Sequence, residues 1–427
     1  MGYFHFGGLG PVITWLIWPL MYLYTFFIKI PVYPNAPLQT PALHSSSHSD
    51  ETLTPGDGET TPQWPLVLFS HGLCGTRTTY SNLCTRLAAS GRIVLAFEHR
   101  DGSAPVCMPR NPETGEAKVK LYLKPDQVIW PKNGNTEDEA HTLALRFDQL
   151  EFRKREIYLA YSAFTSFIHT GNLGDLQVID DTTGDVRAEQ IGYESWKGLV
   201  ECEKDVAFVG HSFGGATVFS LLSTPPPVPY NPIPITHALA LDPWLEPLPS
   251  PGPEPYVHTE SASDSLVGVE KNAQCDQVKD EEKGFPPPKM LVLNSEGFSL
   301  WRVHFSRLEE VVKGWDRGRV ITILRSTHVS FSDFPLLIPS FFPSSSSSTA
   351  TLLSKIIGNL SVAFLEDRLY RDSGHGDDEK SGEIVDGEGL GVRERELVIE
   401  DVEWREGVAG RKWKRRMVGE VGDVVLH

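Results

Sequence analysis

The stretch Val206-Ala207-Phe208-Val209-Gly210-His211-Ser212-Phe213-Gly214-Gly215-Ala216-Thr217-Val218-Phe219 decides the reading of this chain. Four apolar residues lead into a Gly-x-Ser-x-Gly pentapeptide, and small residues open the segment after it. The pattern is that of a strand, a sharp turn and a helix with a serine at the apex. A serine hydroxyl is a weak nucleophile, and such a turn projects its oxygen to where an imidazole can take its proton. Glycines flank the turn because a Cβ there would clash.

A serine nucleophile needs a base and an orienting acid. In an α/β-hydrolase arrangement these follow the nucleophile in the order Ser, Asp/Glu, His. Ala238-Leu239-Ala240-Leu241 is a strand candidate that ends in Asp242, and Val320-Ile321-Thr322-Ile323-Leu324 is another, followed by His328. Each polar group sits just past the carboxyl end of a buried strand, where open parallel sheets place their chemistry. His328 is the expected base and general acid for Ser212, and Asp242 the expected holder of its tautomer. Position alone leaves Glu296 as a rival acid, because it follows the strand candidate Met290-Leu291-Val292-Leu293-Asn294. His211, His237, His258 and His304 read as solvated or packed histidines.

A tetrahedral intermediate also needs donors for its oxyanion. The backbone N–H of Phe213 is one. The second is expected from Leu73, in Ser70-His71-Gly72-Leu73-Cys74-Gly75, which follows the strand candidate Pro65-Leu66-Val67-Leu68-Phe69.

Six blocks carry a family resemblance: Ser70-His71-Gly72-Leu73, the stretch 93–104 with Glu98-His99-Arg100-Asp101-Gly102-Ser103, Val209 to Thr217, Ala240-Leu241-Asp242-Pro243-Trp244, Asn294-Ser295-Glu296, and Thr327 to Phe334. In this order they resemble the platelet-activating-factor acetylhydrolases of the plasma and intracellular type II group. The resemblance spans residues 65–366. It implies an α/β-hydrolase fold and a calcium-independent serine esterase without cofactor, acting on acetyl and other short or oxidised acyl groups at the sn-2 position of phospholipids. Residue by residue it implies Ser212 as nucleophile, Asp242 as acid, His328 as base, and the amides of Leu73 and Phe213 as oxyanion donors. It also resolves the acid, since family members carry a glutamate like Glu296 beside their triad without using it so. Cys74 departs from the pattern, standing where a glycine is common.

The 427 residues carry a net charge of −17, which argues against nucleic acid as a partner because phosphate binding needs a basic surface. Cys74, Cys84, Cys107, Cys202 and Cys275 have no paired or metal-ligand spacing and read as mostly free thiols, and no metal site is expected. Strand candidates at 66–69, 92–97, 206–209, 238–241, 290–293 and 320–324 alternate with helical stretches near 78–90, 142–170, 213–223, 301–315 and 350–366. That alternation predicts a mostly parallel sheet with helices on both faces.

Around this domain, placed at 65–367, the flanks read differently. Pro11 to Ile28 is nearly uninterrupted apolar sequence, so residues 1–30 read as a membrane anchor, with a cleaved signal peptide and a secreted protein as the alternative. Lys29 after it favours a cytoplasmic catalytic domain. Residues 31–64 read as a flexible tether, 249–288 as a proline-rich acidic insertion that is a lid or disordered, and 368–427 as a solvated tail, acidic and then basic. Oligomeric state is left open.

Overall fold

The computed structural model describes residues 2–8, 10–30, 32–33, 36–41, 62–111, 114–130, 138–174, 176, 193–250, 252–256, 286–315, 317–337, 347–370, 384, 387–405 and 411–427. Its centre is a seven-stranded sheet. Six strands are parallel: β1 (Trp64–Ser70), β2 (Ile93–Ala96), β5 (Val200–His211), β6 (Ile235–Leu241), β7 (Lys289–Ser295) and β8 (Arg319–Ile323). Each contains or overlaps one of the six predicted strands. Two short strands, β3 (Val106–Cys107) and β4 (Lys120–Leu121), pair antiparallel beside them.

The spatial order is β11-β8-β7-β6-β5-β1-β2, where β11 (Val424–Leu426) is the antiparallel edge. The chain enters the sheet at β1, moves outward to β2, then returns to β5 on the other side of β1. The crevice beyond the carboxyl ends of β1 and β5 is therefore the switch point where such sheets place ligands.

Both faces of the sheet are apolar because helices cover both. Leu66, Leu68, Val206, Phe208, Ala238, Ala240 and Val292 point to one side. There they meet Leu150 and Ile157 of α4 (Asp138–Thr170), Phe213 and Phe219 of α5 (Phe213–Leu222), and Leu308 of α7 (Arg302–Lys313). The alternate residues Val67, Phe69, Val209, Leu239, Leu291 and Ile321 face the other way. They pack on Leu83 and Leu87 of α3 (Ser81–Ala89) and on Ile356 and Leu360 of α9 (Ser347–Leu365). Each fully buried side chain of this kind contributes roughly 1.5–3 kcal/mol. Short helices α6 (Glu296–Ser299), α8 (Phe334–Leu337) and α10 (Gly387–Leu390) fill the connections. The segment Ser348–Leu365 is long and apolar enough to cross a membrane, but half of it is buried against the sheet.

The carboxyl-terminal reading needs correction. Residues 387–427 include a hairpin of β9 (Ile399–Arg405) and β10 (Arg411–Met417), and then the edge strand β11. Its acidic and basic runs oppose one another: Glu400 pairs with Arg416 and Asp401 with Arg415 in register, and Arg416 Nε donates to Glu400 Oε1 at 2.9 Å. Charge that reads as solvation in one dimension is cross-strand complementarity in three. Val424 and Val425 are buried against β8, so this end of the chain closes the sheet.

At the other end, α1 (Gly2–Phe6) and α2 (Pro11–Phe26) form the apolar segment. Beyond them Leu38 packs on the core, and Trp64 Nε1 donates to the carbonyl of Gln39 at 2.7 Å, so residues 38–39 of the expected tether are held to the domain. Residues 31, 34–35 and 42–61 of that tether, and 251 and 257–285 of the insertion, lie outside the described residues.

Candidate active site

The elbow forms where β5 ends. Ser212 has φ +56° and ψ −115°, a strained conformation for a residue with a side chain, and it is held there by its N–H donating to Leu241 (2.8 Å) and its carbonyl accepting from Trp244 (3.1 Å). The glycines are required by contact. A Cβ on Gly210 would lie 2.2 Å from the carbonyl oxygen of Gly214, and one on Gly214 would lie 2.0 Å from that of Ser70.

Three side chains converge from three strand ends. Ser212 Oγ donates to His328 Nε2 at 2.9 Å, and His328 Nδ1 donates to Asp242 Oδ2 at 3.1 Å. The tautomer follows, because an ionised carboxylate only accepts. Asp242 is fully buried, and both its oxygens are held: Ser295 N–H donates to Oδ1 and Ser295 Oγ to Oδ2, each at 2.5 Å. The Phe298 ring stacks on His328 with centroids 4.5 Å apart and planes 4° from parallel, which fixes the imidazole from the side. About a third of the His328 side chain is exposed, which leaves this line open to solvent on one face.

Glu296 points elsewhere. Its carboxylate accepts from the backbone N–H of Arg325 (2.7 Å), from the Arg325 guanidinium (3.1 Å) and from the N–H of Met417 (2.9 Å). It joins the carboxyl-terminal hairpin to the histidine loop. Of the two acids that position alone leaves open, Asp242 is the one hydrogen-bonded to His328.

The segment carrying Leu73 lies against the elbow: a Cβ on Gly72 would be 3.0 Å from the Cβ of Ser212. Among the described residues, no acceptor within the chain takes the backbone N–H of Leu73 or of Phe213. Two unpaired amides on segments that meet at Ser212 are suited to donating to an oxyanion. Cys74, the departure from the family pattern, has φ +58°, in the left-handed region that favours glycine.

None of the other described histidines hydrogen-bonds Ser212 or Asp242. His237 is at the opposite end of β6, with Nε2 3.1 Å from Asp367. His304 sits under the site on α7, and burial pulls its pKa down to about 4 against the opposing charge of Asp242. His258 lies outside the described residues. His211 is buried beside His328 and kept neutral by burial and by that neighbour. Cys74, Cys84, Cys107 and Cys202 are free thiols, and among the described residues no group of three or more His, Cys, Asp or Glu is placed to hold a metal ion. Ser295 stands inside a quoted block and Phe298 lies two residues beyond it, but only the fold brings the one to Asp242 and the other to His328.

The family described as "Platelet-activating factor acetylhydrolase, isoform II" matches residues 39–255 and 278–386. The chain belongs to this family. Among curated relatives, the platelet-activating factor acetylhydrolase of Gallus gallus is 27% identical over 351 residues, 81% of this chain and 69% of that protein. The one from Bos taurus is 27% identical over 365 residues, 83% of this chain and 64% of that protein. The chain therefore spans about two thirds of the length of these relatives. A solved ferulic acid esterase from Streptomyces cinnamoneus aligns with 72% of this chain and 67% of its own at 16% identity, with a TM-score of 0.39.

Proposed function

We infer that this family member is a serine esterase that hydrolyses the sn-2 acetyl, or short or oxidised acyl, ester of phospholipids. The observation that carries the reading is the unbroken hydrogen-bonded line from Ser212 through His328 to Asp242, within a family named for acetyl-ester hydrolysis. Ser212 Oγ attacks the acyl carbonyl while His328 Nε2 takes its proton, and the backbone N–H groups of Leu73 and Phe213 donate to the oxyanion. Collapse expels the sn-2 oxygen, which takes the proton back from His328 and leaves as the lysophospholipid. Water activated by His328 then releases the carboxylic acid from the acyl-serine. No step calls on a metal, so the reaction is calcium-independent in this reading.

The substrate lies in a bilayer, and α2 supports attachment there. It has no acidic residue in its first turn and no basic one in its last, and Trp15, Leu16, Leu20 and Phe26 expose about 60–70% of their surface. At 16 residues it is about 24 Å long, short of the roughly 30 Å hydrocarbon core, which favours embedding over crossing. Lys29 beyond it favours a cytoplasmic catalytic domain.

Acyl-chain profiling on vesicles tests the substrate class. Each methylene drawn into water costs about 0.8 kcal/mol, so six more oppose extraction by roughly 5 kcal/mol, a factor of several thousand. The expected kcat/KM falls steeply from acetyl to long saturated chains and is unchanged by a calcium chelator. Equal rates on acetyl and palmitoyl phospholipids would instead indicate a general lipase, and loss of activity on chelation would overturn the mechanism.

A further inference from the structure

Beneath the Leu73 segment lies a buried polar layer that the mechanism above does not use. Its centre is Arg153 of α4, whose side chain is 0% exposed. Arg153 Nε donates to Asp101 Oδ2 at 2.8 Å, one terminal nitrogen donates to Ser103 Oγ at 2.6 Å, and the other donates to the carbonyl of His71 at 2.7 Å. The same nitrogen lies 3.4 Å from Thr217 Oγ1 and 3.5 Å from Ser70 Oγ, and Arg153 Cζ lies 4.5 Å from the centroid of the Phe213 ring. Burying a guanidinium is costly unless its donors are met and its charge is paired, and here both conditions hold.

These partners belong to the two segments that carry the candidate oxyanion donors. His71 precedes Leu73 by two residues. Ser103, which the guanidinium also holds, accepts the N–H of Cys74 on its carbonyl at 2.8 Å, so Leu73 is fixed from both sides. On the other segment the ring of Phe213 rests on the guanidinium, and Thr217 Oγ1 donates to the Phe213 carbonyl at 2.8 Å. His71 and His99, packed in the same layer, are held well below the ordinary imidazole range by burial and then by the Arg153 charge, so both are neutral. Asp101 answers that charge, and it is further fixed by the Ser103 N–H at 2.9 Å.

We propose that Arg153 is a positioning residue that sets the spacing of the Leu73 and Phe213 amides, acting through the His71 carbonyl, Ser103 and the Phe213 ring. The proposal rests on the reading of Ser212 as nucleophile. Because Arg153 is enclosed, it acts without touching substrate, and its effect belongs to the transition state, where the oxyanion forms. Lysine keeps the charge but cannot bridge three partners in one plane, so Arg153→Lys separates charge from geometry.

The test uses the full chain with Arg153→Lys and Ser103→Ala, alongside Ser212→Ala. Steady-state kinetics on p-nitrophenyl acetate are combined with the inhibition constant of a trifluoromethyl ketone, which forms a tetrahedral adduct on the serine. Competent sites are counted by fluorophosphonate titration, and rates are expressed per titrated site. Arg153→Lys is expected to lower kcat by roughly 10- to 100-fold, less than the loss of a donor itself, with KM within about threefold. The inhibitor should weaken by the same factor as kcat/KM, while the pH midpoint of kcat/KM stays put. Ser103→Ala, which leaves the Asp101 pair intact, should give a smaller loss of the same signature. Wild-type kcat and inhibitor affinity per titrated site in both variants would overturn the positioning role and leave the nucleophile reading standing. Activity persisting in Ser212→Ala would overturn that reading itself.

Discussion

His211 hydrogen-bonds the backbone of the residue it neighbours in space: its Nε2 donates to the carbonyl of His328 at 3.1 Å, with the two rings 4.5 Å apart. That bond assigns its tautomer, leaving Nδ1 as an acceptor, and Tyr80 Oη fills it at 2.8 Å. Tyr80 in turn accepts the N–H of Gly72 at 3.1 Å. One buried chain thus runs from the Gly72-Leu73 segment to the histidine loop, and it ties the expected oxyanion side of the site to the expected base.

Tyr80→Phe cuts that chain at its middle and leaves two buried polar groups without partners. The expected cost is about 1–3 kcal/mol in urea unfolding, with kcat/KM on a soluble ester lowered by less than about tenfold, because Ser212 and His328 remain in contact. A variant as stable as the wild type would show that water or another group replaces the hydroxyl.

Ser212→Ala and His328→Ala should each remove roughly three or more powers of ten in kcat while leaving the melting temperature within a few degrees. Neither side chain holds up a core cluster, so an inactive variant that is also unfolded would contradict the placement.

The two acids are separated by what holds them. Asp242→Asn leaves His328 Nδ1 facing an amide and should cost on the order of 10⁴ in kcat. Glu296→Gln weakens the link to Arg325 and Met417, so it should lower stability by about 1–3 kcal/mol with kcat reduced far less. The reverse ranking would move the acid to Glu296.

The sheet was legible because strands buried on both faces read as apolar runs, and the Ser-Asp-His order was legible because each residue follows such a run. What the sequence hid was reach. Glu296 sits at the right place after a strand, and position alone does not show its bonds to Arg325 and to Met417, far along the chain. The Arg411 to Arg416 run reads as a basic tail until Glu400 is placed across from Arg416. Arg153 lies in a helix of mixed charge, where nothing in its neighbours marks it as buried.

Asp101 makes acid a probe of the buried layer. Burial alone would raise its pKa, but the Arg153 charge, His99 and two Ser103 hydrogen bonds outweigh that and hold it down at about 2, against an ordinary 3.8. A depressed carboxylate adds stability that is complete above 3.8 and is lost as pH falls through 2. The contribution is about 2 kcal/mol. Urea unfolding should show the wild type losing that much more than Asp101→Asn between pH 5 and pH 2; parallel pH curves would mean that the pair carries no linkage.

The amino-terminal segment tests whether anchoring and catalysis are separable. Sequence alone reads residues 1–30 as an anchor on a tether, free of the domain, yet α1 is docked on the rim of the candidate site. Tyr3 Oη lies 3.2 Å from Thr79 Oγ1, the Tyr3 ring meets Phe334 at 5.5 Å, and Phe6 meets Tyr122 at 4.7 Å. Further on, Tyr24 Oη donates to the carbonyl of Leu337 at 2.7 Å. Thr79 belongs to the turn that precedes Tyr80, and Phe334 follows the histidine loop, so these contacts brace both sides of the chain from Gly72 to His328. Deleting residues 2–30 should therefore release the protein from membranes and also lower its melting temperature, at about 2–4 °C per kcal/mol lost. Replacing Trp15, Leu16 and Leu20 of α2 with glutamate removes the apolar surface and spares those contacts. That variant should leave the membrane with its melting temperature unchanged. An unaltered melting temperature in the deletion would show that α1 is not docked, and a deletion that stays in the membrane pellet would place the anchor on another surface.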